Sequence, residues 1–181
     1  MTPSAPYAAT LRSCSRPRRP RAALGALFAP AFVALLLSCR PSAGRETFEG
    51  KVVGVADGDT LVVLDGTTPV RVRLHGIDCP ERGQAFGAAA NRLASALAFG
   101  KTVTVKGRGN DRYGRLLAEV VLPGGQSLSR ELVAAGMAWH YVRYSDDETL
   151  AKGEREARKA RVGIWSEADP VAPWRYRAAR R

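Results

Sequence analysis

Between residues 48 and 77 the chain passes through three short β-branched segments with only turn formers between them, and this spacing restricts the fold more than any other feature. Residues 48–56 (FEGKVVGVA), 60–64 (TLVVL) and 70–77 (VRVRLHGI) are separated by Asp57-Gly58-Asp59 and by Asp65-Gly66-Thr67-Thr68-Pro69. Runs of this kind bounded by Gly, Asp and Pro read as strands, and connections this short make two consecutive hairpins. In VRVRL the valines and the leucine alternate with Arg71 and Arg73, so both arginines share one face, opposite the valines.

After Pro80 the period changes. Phe86, Ala89, Ala90, Leu93, Ala96 and Leu97 recur at helical spacing, and Gly100 stands where a helix would end. Strands return at residues 101–106 (KTVTVK) and 115–122 (RLLAEVVL), followed by helical patterns at 128–135 and 148–162, the second closed by Gly163. Strand order β-β-β-α-β with two further helices predicts a mainly β fold with α: a five-stranded OB-fold barrel with three packed helices. The tail from Ile164 holds Trp165, Trp174 and Tyr176 among prolines and arginines, and is expected to pack partly against the domain before fraying.

The first 39 residues belong to a different regime. They hold Arg12, Arg16, Arg18, Arg19 and Arg21 and no acid, followed by the apolar run AALGALFAPAFVALLL. A run of this length with a basic flank falls short of the roughly 20 residues that span a bilayer, and reads as the core of a signal peptide. Leu36-Leu37-Ser38-Cys39 resembles the bacterial lipobox, which would make Cys39 the lipidated first residue of the mature protein; ordinary cleavage at residues 41–44 is the alternative. The expected organisation is therefore a signal at 1–39, a linker at 40–46, a domain at 47–165 and a basic tail at 166–181. Export follows as an expectation, either to the cell envelope as a lipoprotein or as a secreted protein, with membrane contact only through the lipid.

With Cys14 in the signal and Cys39 at its end, Cys79 is the one cysteine left in the domain, so the fold contains no internal disulfide. The whole chain carries net charge +11; residues 40–181 keep 23 basic against 17 acidic residues, or +6. An excess of that size favours polyanionic partners such as nucleic acid or an anionic membrane.

Two acidic stretches carry the chemistry. Asp57-Gly58-Asp59-Thr60 is a tight turn whose glycine permits an unusual backbone angle, and in Asp78-Cys79-Pro80-Glu81 the proline pushes Cys79 toward an extended conformation. Each alone reads as a plain turn with solvated acids. Together, two strand ends supplying Asp59 and Asp78 could converge on a hard divalent cation such as calcium. Thiolate-ligated zinc is disfavoured, because Cys79 is alone and His75 and His140 lack metal-ligand spacing. Arg73, with Arg112 and Arg115 in Asn110-Asp111-Arg112-Tyr113-Gly114-Arg115, adds guanidinium groups that bind phosphate as a fork. Two arginines, a cation and a free carboxylate in one pocket meet the needs of phosphodiester hydrolysis: charge neutralisation in the transition state and a base for water.

DGDT, RLHGIDCPE, DRYGR and the GIW at Gly163, in this order and spacing, resemble the staphylococcal nuclease (thermonuclease) family over residues 47–165. The resemblance implies that Asp59, Asp78 and the backbone carbonyl of Cys79 bind one calcium ion, with Asp57 a further acid beside it. It implies that Glu81 positions or deprotonates the attacking water, and that Arg73 and Arg115 grip the scissile phosphate. Tyr113, Tyr141 and Tyr144 are candidates for contacting substrate phosphate or stacking on a base.

The family reaction is calcium-dependent cleavage of DNA and RNA to 3′-phosphorylated products. A groove lined with arginine and aromatics suits single strands, with little base specificity because the contacts are to phosphate. A monomer is expected. One departure is the short connection Arg82-Gly83-Gln84-Ala85 after Glu81, where the staphylococcal enzyme has a longer, lysine-rich loop. The competing reading is a non-catalytic OB-fold module that binds nucleic acid or protein at the envelope; such a module would be expected to have lost part of the set Asp59, Arg73, Asp78, Glu81 and Arg115. A structural envelope lipoprotein would explain Cys39 but not that set.

Overall fold

The structure, a computed structural model, describes residues 47–180; Cys39 and the signal-like segment lie outside them. Five strands close into a barrel: β1 (Thr47–Asp57), β2 (Thr60–Asp65), β3 (Thr68–Leu74), β5 (Thr102–Asn110) and β6 (Leu116–Val121), in the order β1-β2-β3-β6-β5. All neighbours are antiparallel except β3 and β6, which run parallel with Arg73 opposite Leu117. The period-two pattern explains the interior. Val52, Leu61, Val63, Val72, Val105, Ala118 and Val120 are fully buried, while alternate positions such as Lys51, Val53, Arg71 and Lys106 are exposed.

Helix α1 (Gly87–Ala98) lies against β1, and its buried stripe is Ala90, Ala94 and Ala98. This stripe differs from the expected one, for Ala96 is exposed and Leu93 and Leu97 only flank the contact. The three alanines carry no bulk beyond Cβ, which lets the helix axis come close to the strands. Helix α2 (Leu128–Ala134) packs on α1, β6 and α3 (Glu148–Ala160). Asp147 caps α3 by accepting from the Thr149 and Leu150 amides at 2.8 and 3.4 Å, the usual way to satisfy the free N–H groups of a first turn.

Two expectations need correction. The run 70–77 is not one strand: Gly76, at φ +79°, breaks it, and Ile77–Asp78 forms a separate short strand, β4, paired with β7 (Trp139–His140). A left-handed residue turns the chain off the barrel wall, so Asp78 leaves the face that alternation from Arg73 would assign it. The tail from Ile164 packs against the domain as expected, but it does so through a helix that the sequence reading did not assign. A 3-10 turn at Gly163–Ser166 is followed by a fourth helix, α4 (Pro173–Ala178), so the described residues hold four α-helices where three were expected. Its partners are aromatic. Trp139 meets Trp165 at 4.4 Å and Trp174 at 5.6 Å, and Arg158 lies over the Trp165 ring at 4.0 Å, giving this end a small core of its own.

Candidate active site

The turn Asp57-Gly58-Asp59 joins β1 to β2, and Asp78 stands at the end of β4, so the two acidic stretches come from neighbouring loops at one end of the barrel. Gly58 is outside the left-handed region, contrary to the reading from sequence. Its small size is what matters: a Cβ there would meet Ala90 Cβ, Cys79 Cβ and Cys79 Sγ at 2.9 Å. The turn thus presses directly on α1 and on the 78–81 segment. The Cys79 amide donates to Asp59 Oδ2 at 2.8 Å, and Thr60 Oγ1 to Asp59 Oδ1 at 3.3 Å.

Arg73 stands between the two carboxylates. Its Nη2 donates to Asp78 Oδ1 at 2.7 Å and its Nη1 abuts Asp59 Oδ2. Asp59 and Asp78 are 5 % and 1 % exposed, and carboxylates this buried require cationic partners. A buried oxygen of Asp57, Oδ1, lacks a hydrogen-bond partner among the described residues.

On the other wall Arg115 is held by Asp111. Arg115 Nε donates to Asp111 Oδ2 at 2.8 Å and Nη2 lies 2.7 Å from the same oxygen, while Asp111 Oδ1 accepts the Tyr113 and Arg115 amides at 2.8 and 3.0 Å. Burial opposes ionisation of Asp111, but the backbone and side-chain bonds from Arg115 and the Tyr113 amide outweigh it and hold the carboxyl below its ordinary range. The remaining terminal nitrogen, Arg115 Nη1, donates to Thr60 Oγ1 at 3.4 Å, and the side chain lines the cleft.

One cleft of about 1050 Å³ is lined by every site residue expected within the described chain: Asp57, Asp59, Arg73, Asp78, Cys79, Glu81, Tyr113, Arg115, Tyr141 and Tyr144. Tyr113 and Tyr144 stand exposed at the rim, with Arg112 and Arg143 over their rings at 4.8 and 5.6 Å. Glu81 is half-exposed, and its carboxylate reaches a residue that sequence did not connect to it. Arg177 of α4 approaches Glu81 Oε1 at 2.5 Å and Asp78 Oδ2 at 2.7 Å. Burial works against the Arg177 charge, yet hydrogen bonds to Asp78 and Glu81 push its pKa above the usual arginine value.

Residues 71–167 match the family model described as staphylococcal nuclease homologue. The chain belongs to the staphylococcal nuclease family. Among its relatives is an Escherichia coli protein named as an uncharacterized endonuclease, 45% identical over 128 residues, which are 71% of this chain and 84% of that protein. A Shigella flexneri protein named micrococcal nuclease is 40% identical over 169 residues, 88% of this chain and 96% of the relative. A Haemophilus influenzae protein named as an uncharacterized endonuclease is 37% identical over 144 residues, 79% and 80% of the two chains.

Among the described residues no three His, Cys, Asp or Glu side chains stand together as a ready metal cage. The ligand set that the family resemblance implies has fewer such side chains: the carboxylates of Asp59 and Asp78 with the Cys79 carbonyl. The donors present suit it. Two buried carboxylates, the Cys79 backbone and the unpartnered Asp57 oxygen are all hard oxygen groups, the chemistry that calcium prefers. Cys79 itself is no thiolate: burial pushes its thiol pKa far up, Arg73 draws it back only in part, and the charges of Asp78 and Asp57 add smaller increases.

Arg177 is the residue that sequence reasoning missed. Nothing in the local pattern PWRYR links it to Glu81, 96 residues earlier. Asp111 was legible in principle, as an acid four residues before an arginine across a glycine turn.

Proposed function

We propose that the cleft hydrolyses phosphodiester bonds of DNA and RNA with one calcium ion, leaving 3′-phosphorylated products. Membership of the staphylococcal nuclease family makes the chain a hydrolase of the nuclease type. The observation that carries the calcium reading is the convergence of Asp59 and Asp78, from separate loops, on the two sides of the Arg73 guanidinium. Asp59, Asp78 and the Cys79 carbonyl would hold the ion, which supplies positive charge to the phosphoryl oxygens. With so few protein ligands, affinity on the order of 10⁻⁴ to 10⁻³ M is expected.

The chain's own groups supply the remainder. Glu81 accepts a proton from water, whose oxygen attacks phosphorus; the bond from phosphorus to the 5′ oxygen breaks, and that oxygen leaves with a proton from solvent. Arg115, locked by Asp111 and lining the cleft, donates to a phosphate oxygen as negative charge builds up. Arg73, the other arginine expected to grip the scissile phosphate, lines the same cleft and is paired with Asp59 and Asp78. Exposed Tyr113 and Tyr144 with their arginines at the rim favour an unpaired strand, whose bases stack while its phosphates meet guanidinium groups.

Incubating the purified protein with denatured DNA in calcium and in chelator tests this reading. Calcium-dependent release of 3′-phosphorylated fragments is the expected result; no cleavage in calcium, or undiminished cleavage by Glu81→Gln, overturns it. The basic, apolar segment 1–39 with Cys39 supports export and lipid anchoring as part of the same proposal.

A further inference from the structure

Helix α4 reaches the cleft from beyond residue 167, where the match to the family model ends. Separate contacts hold it there. Trp174 lies flat on Tyr141, with ring centroids 4.9 Å apart and 2° between planes. Tyr176 Oη donates to Gly83 O at 2.9 Å, and Gln84 Nε2 donates to Val171 O at 2.5 Å. Gly83 and Gln84 belong to the short turn that follows Glu81, so the C-terminal segment grips the backbone on which Glu81 is mounted. The backbone N–H of Gln84 donates to Glu81 O at 2.8 Å, closing that turn.

From this platform Arg177 extends a fork. Nη1 lies 2.5 Å from Glu81 Oε1 and 3.3 Å from Asp78 Oδ1, and Nη2 lies 2.7 Å from Asp78 Oδ2. Both oxygens of Asp78 and one of Glu81 are thus addressed by one planar group. Among the described residues Arg177 is the only ion-pair partner of Glu81, whose side chain is 38 % exposed. A half-exposed glutamate on a tight turn samples several rotamers; a guanidinium that is itself anchored to buried Asp78 selects one.

We propose that Arg177 is a positioning residue of the hydrolytic site: it fixes the Glu81 carboxylate for its action on water, and it contests the oxygens of Asp78 with the cation. The proposal rests on the nuclease reading above. It also gives the C-terminal segment a part in the reaction, since α4 supplies from the other end of the chain the order that a longer loop after Glu81 would otherwise have to supply. Lysine at 177 keeps the charge but lacks the two parallel donors, so it cannot hold both carboxylates in one geometry.

The test uses the intact protein with Arg177→Gln, Arg177→Lys and, as a control, Arg175→Gln, which removes the same charge from the exposed face of the same helix. Steady-state cleavage of denatured DNA gives kcat and KM separately, and calorimetric titration with calcium alone gives cation affinity. For Arg177→Gln, kcat is expected to fall on the order of 10²-fold, the scale of a misplaced catalytic group, with KM little changed. Arg177→Lys should fall between it and the wild type, and Arg175→Gln should match the wild type. Calcium should bind Arg177→Gln more tightly than wild type or Arg175→Gln, because a competitor for Asp78 is gone.

Wild-type kcat in Arg177→Gln, a loss confined to KM, an equal loss in Arg175→Gln, or unchanged calcium affinity would overturn the proposal, while wild-type turnover leaves the nuclease reading standing. A wild-type protein that binds calcium and does not cleave fails the nuclease reading instead. If Arg177→Gln does not fold, as a thermal melt will show, Arg177→Lys carries the same comparison.

Discussion

The backbone N–H of Cys79 donates to Asp59 Oδ2 at 2.8 Å, a bond across 20 residues that ties the β1–β2 turn to the end of β4. It places the two buried carboxylates on either side of Arg73, where like charges would repel each other without it. Much of the site's behaviour under substitution follows from that arrangement.

Asp78→Asn should weaken folding as well as calcium binding. The change withdraws the anion to which both Arg73 and Arg177 donate. Asparagine keeps one acceptor oxygen but removes the charge and turns an NH2 toward a guanidinium in a site 1 % exposed, at a cost of about 1–3 kcal/mol, which urea unfolding at neutral pH would read as a lower midpoint at unchanged slope.

Cys79→Thr should retain nuclease activity, since the thiol is protonated and only the backbone carbonyl is proposed as a ligand. Stability should drop by about 1–3 kcal/mol, because a hydroxyl replaces a sulfur in a site 3 % exposed with Gly58 packed against it. A large activity loss without unfolding would show that the side chain takes part in the chemistry. The cleavage assay paired with a thermal melt separates the two effects.

Gly58→Ala should be damaging although its backbone angle is ordinary. The added methyl would lie 2.9 Å from Ala90 Cβ and from both Cys79 side-chain atoms, so the turn, α1 or the 78–81 segment must move. Overpacking of this kind costs about 1–3 kcal/mol, and calcium affinity measured by calorimetry should fall with it as Asp59 shifts from Asp78.

Asp111→Asn should cost activity through Arg115, whose Nε and Nη2 lose their carboxylate. On the scale of a misplaced transition-state donor the expected fall in kcat is about 10²-fold, while Arg115→Ala, which deletes the donor, should cost several kcal/mol of transition-state stabilisation, about 3–4 by analogy with an oxyanion donor. Steady-state kinetics of the two variants would rank them.

Acid should loosen the fold through Asp111 and Asp147. Burial alone would raise both pKa values; bonds from Arg115 and Tyr113 to the first, and from Thr149, Leu150 and Arg130 to the second, outweigh it and lower them. A depressed carboxylate adds stability that is fully present above its unfolded value of about 3.9 and is lost as pH falls through the lower folded value. Melting temperature should therefore decline below about pH 4, with a shallower decline in Asp111→Asn/Asp147→Asn.

The barrel was legible because its causes are local. Period-two valines between Asp-Gly turns make strands and an apolar helical period makes α1, whereas α3 stops at Ala160 with Arg161 as its left-handed cap, short of the expected end at Gly163, which opens the 3-10 turn instead. The family motifs placed Asp57, Asp59, Arg73, Asp78, Glu81 and Arg115 near one another through their order and spacing, and the structure finds them around one cleft. Local pattern misjudged Gly58, because φ and close packing call for the same residue, and it extended β3 through Gly76, because glycine in a strand-like run carries no mark of its angle. Arg177 was beyond reach. A single arginine among several in a basic tail becomes part of the site only when Trp174 stacks on Tyr141 and α4 docks. Side-chain alternation and turn chemistry act over a few residues and are written in the chain; a contact across 96 residues depends on the packing of an entire surface, and that the tertiary structure alone decided.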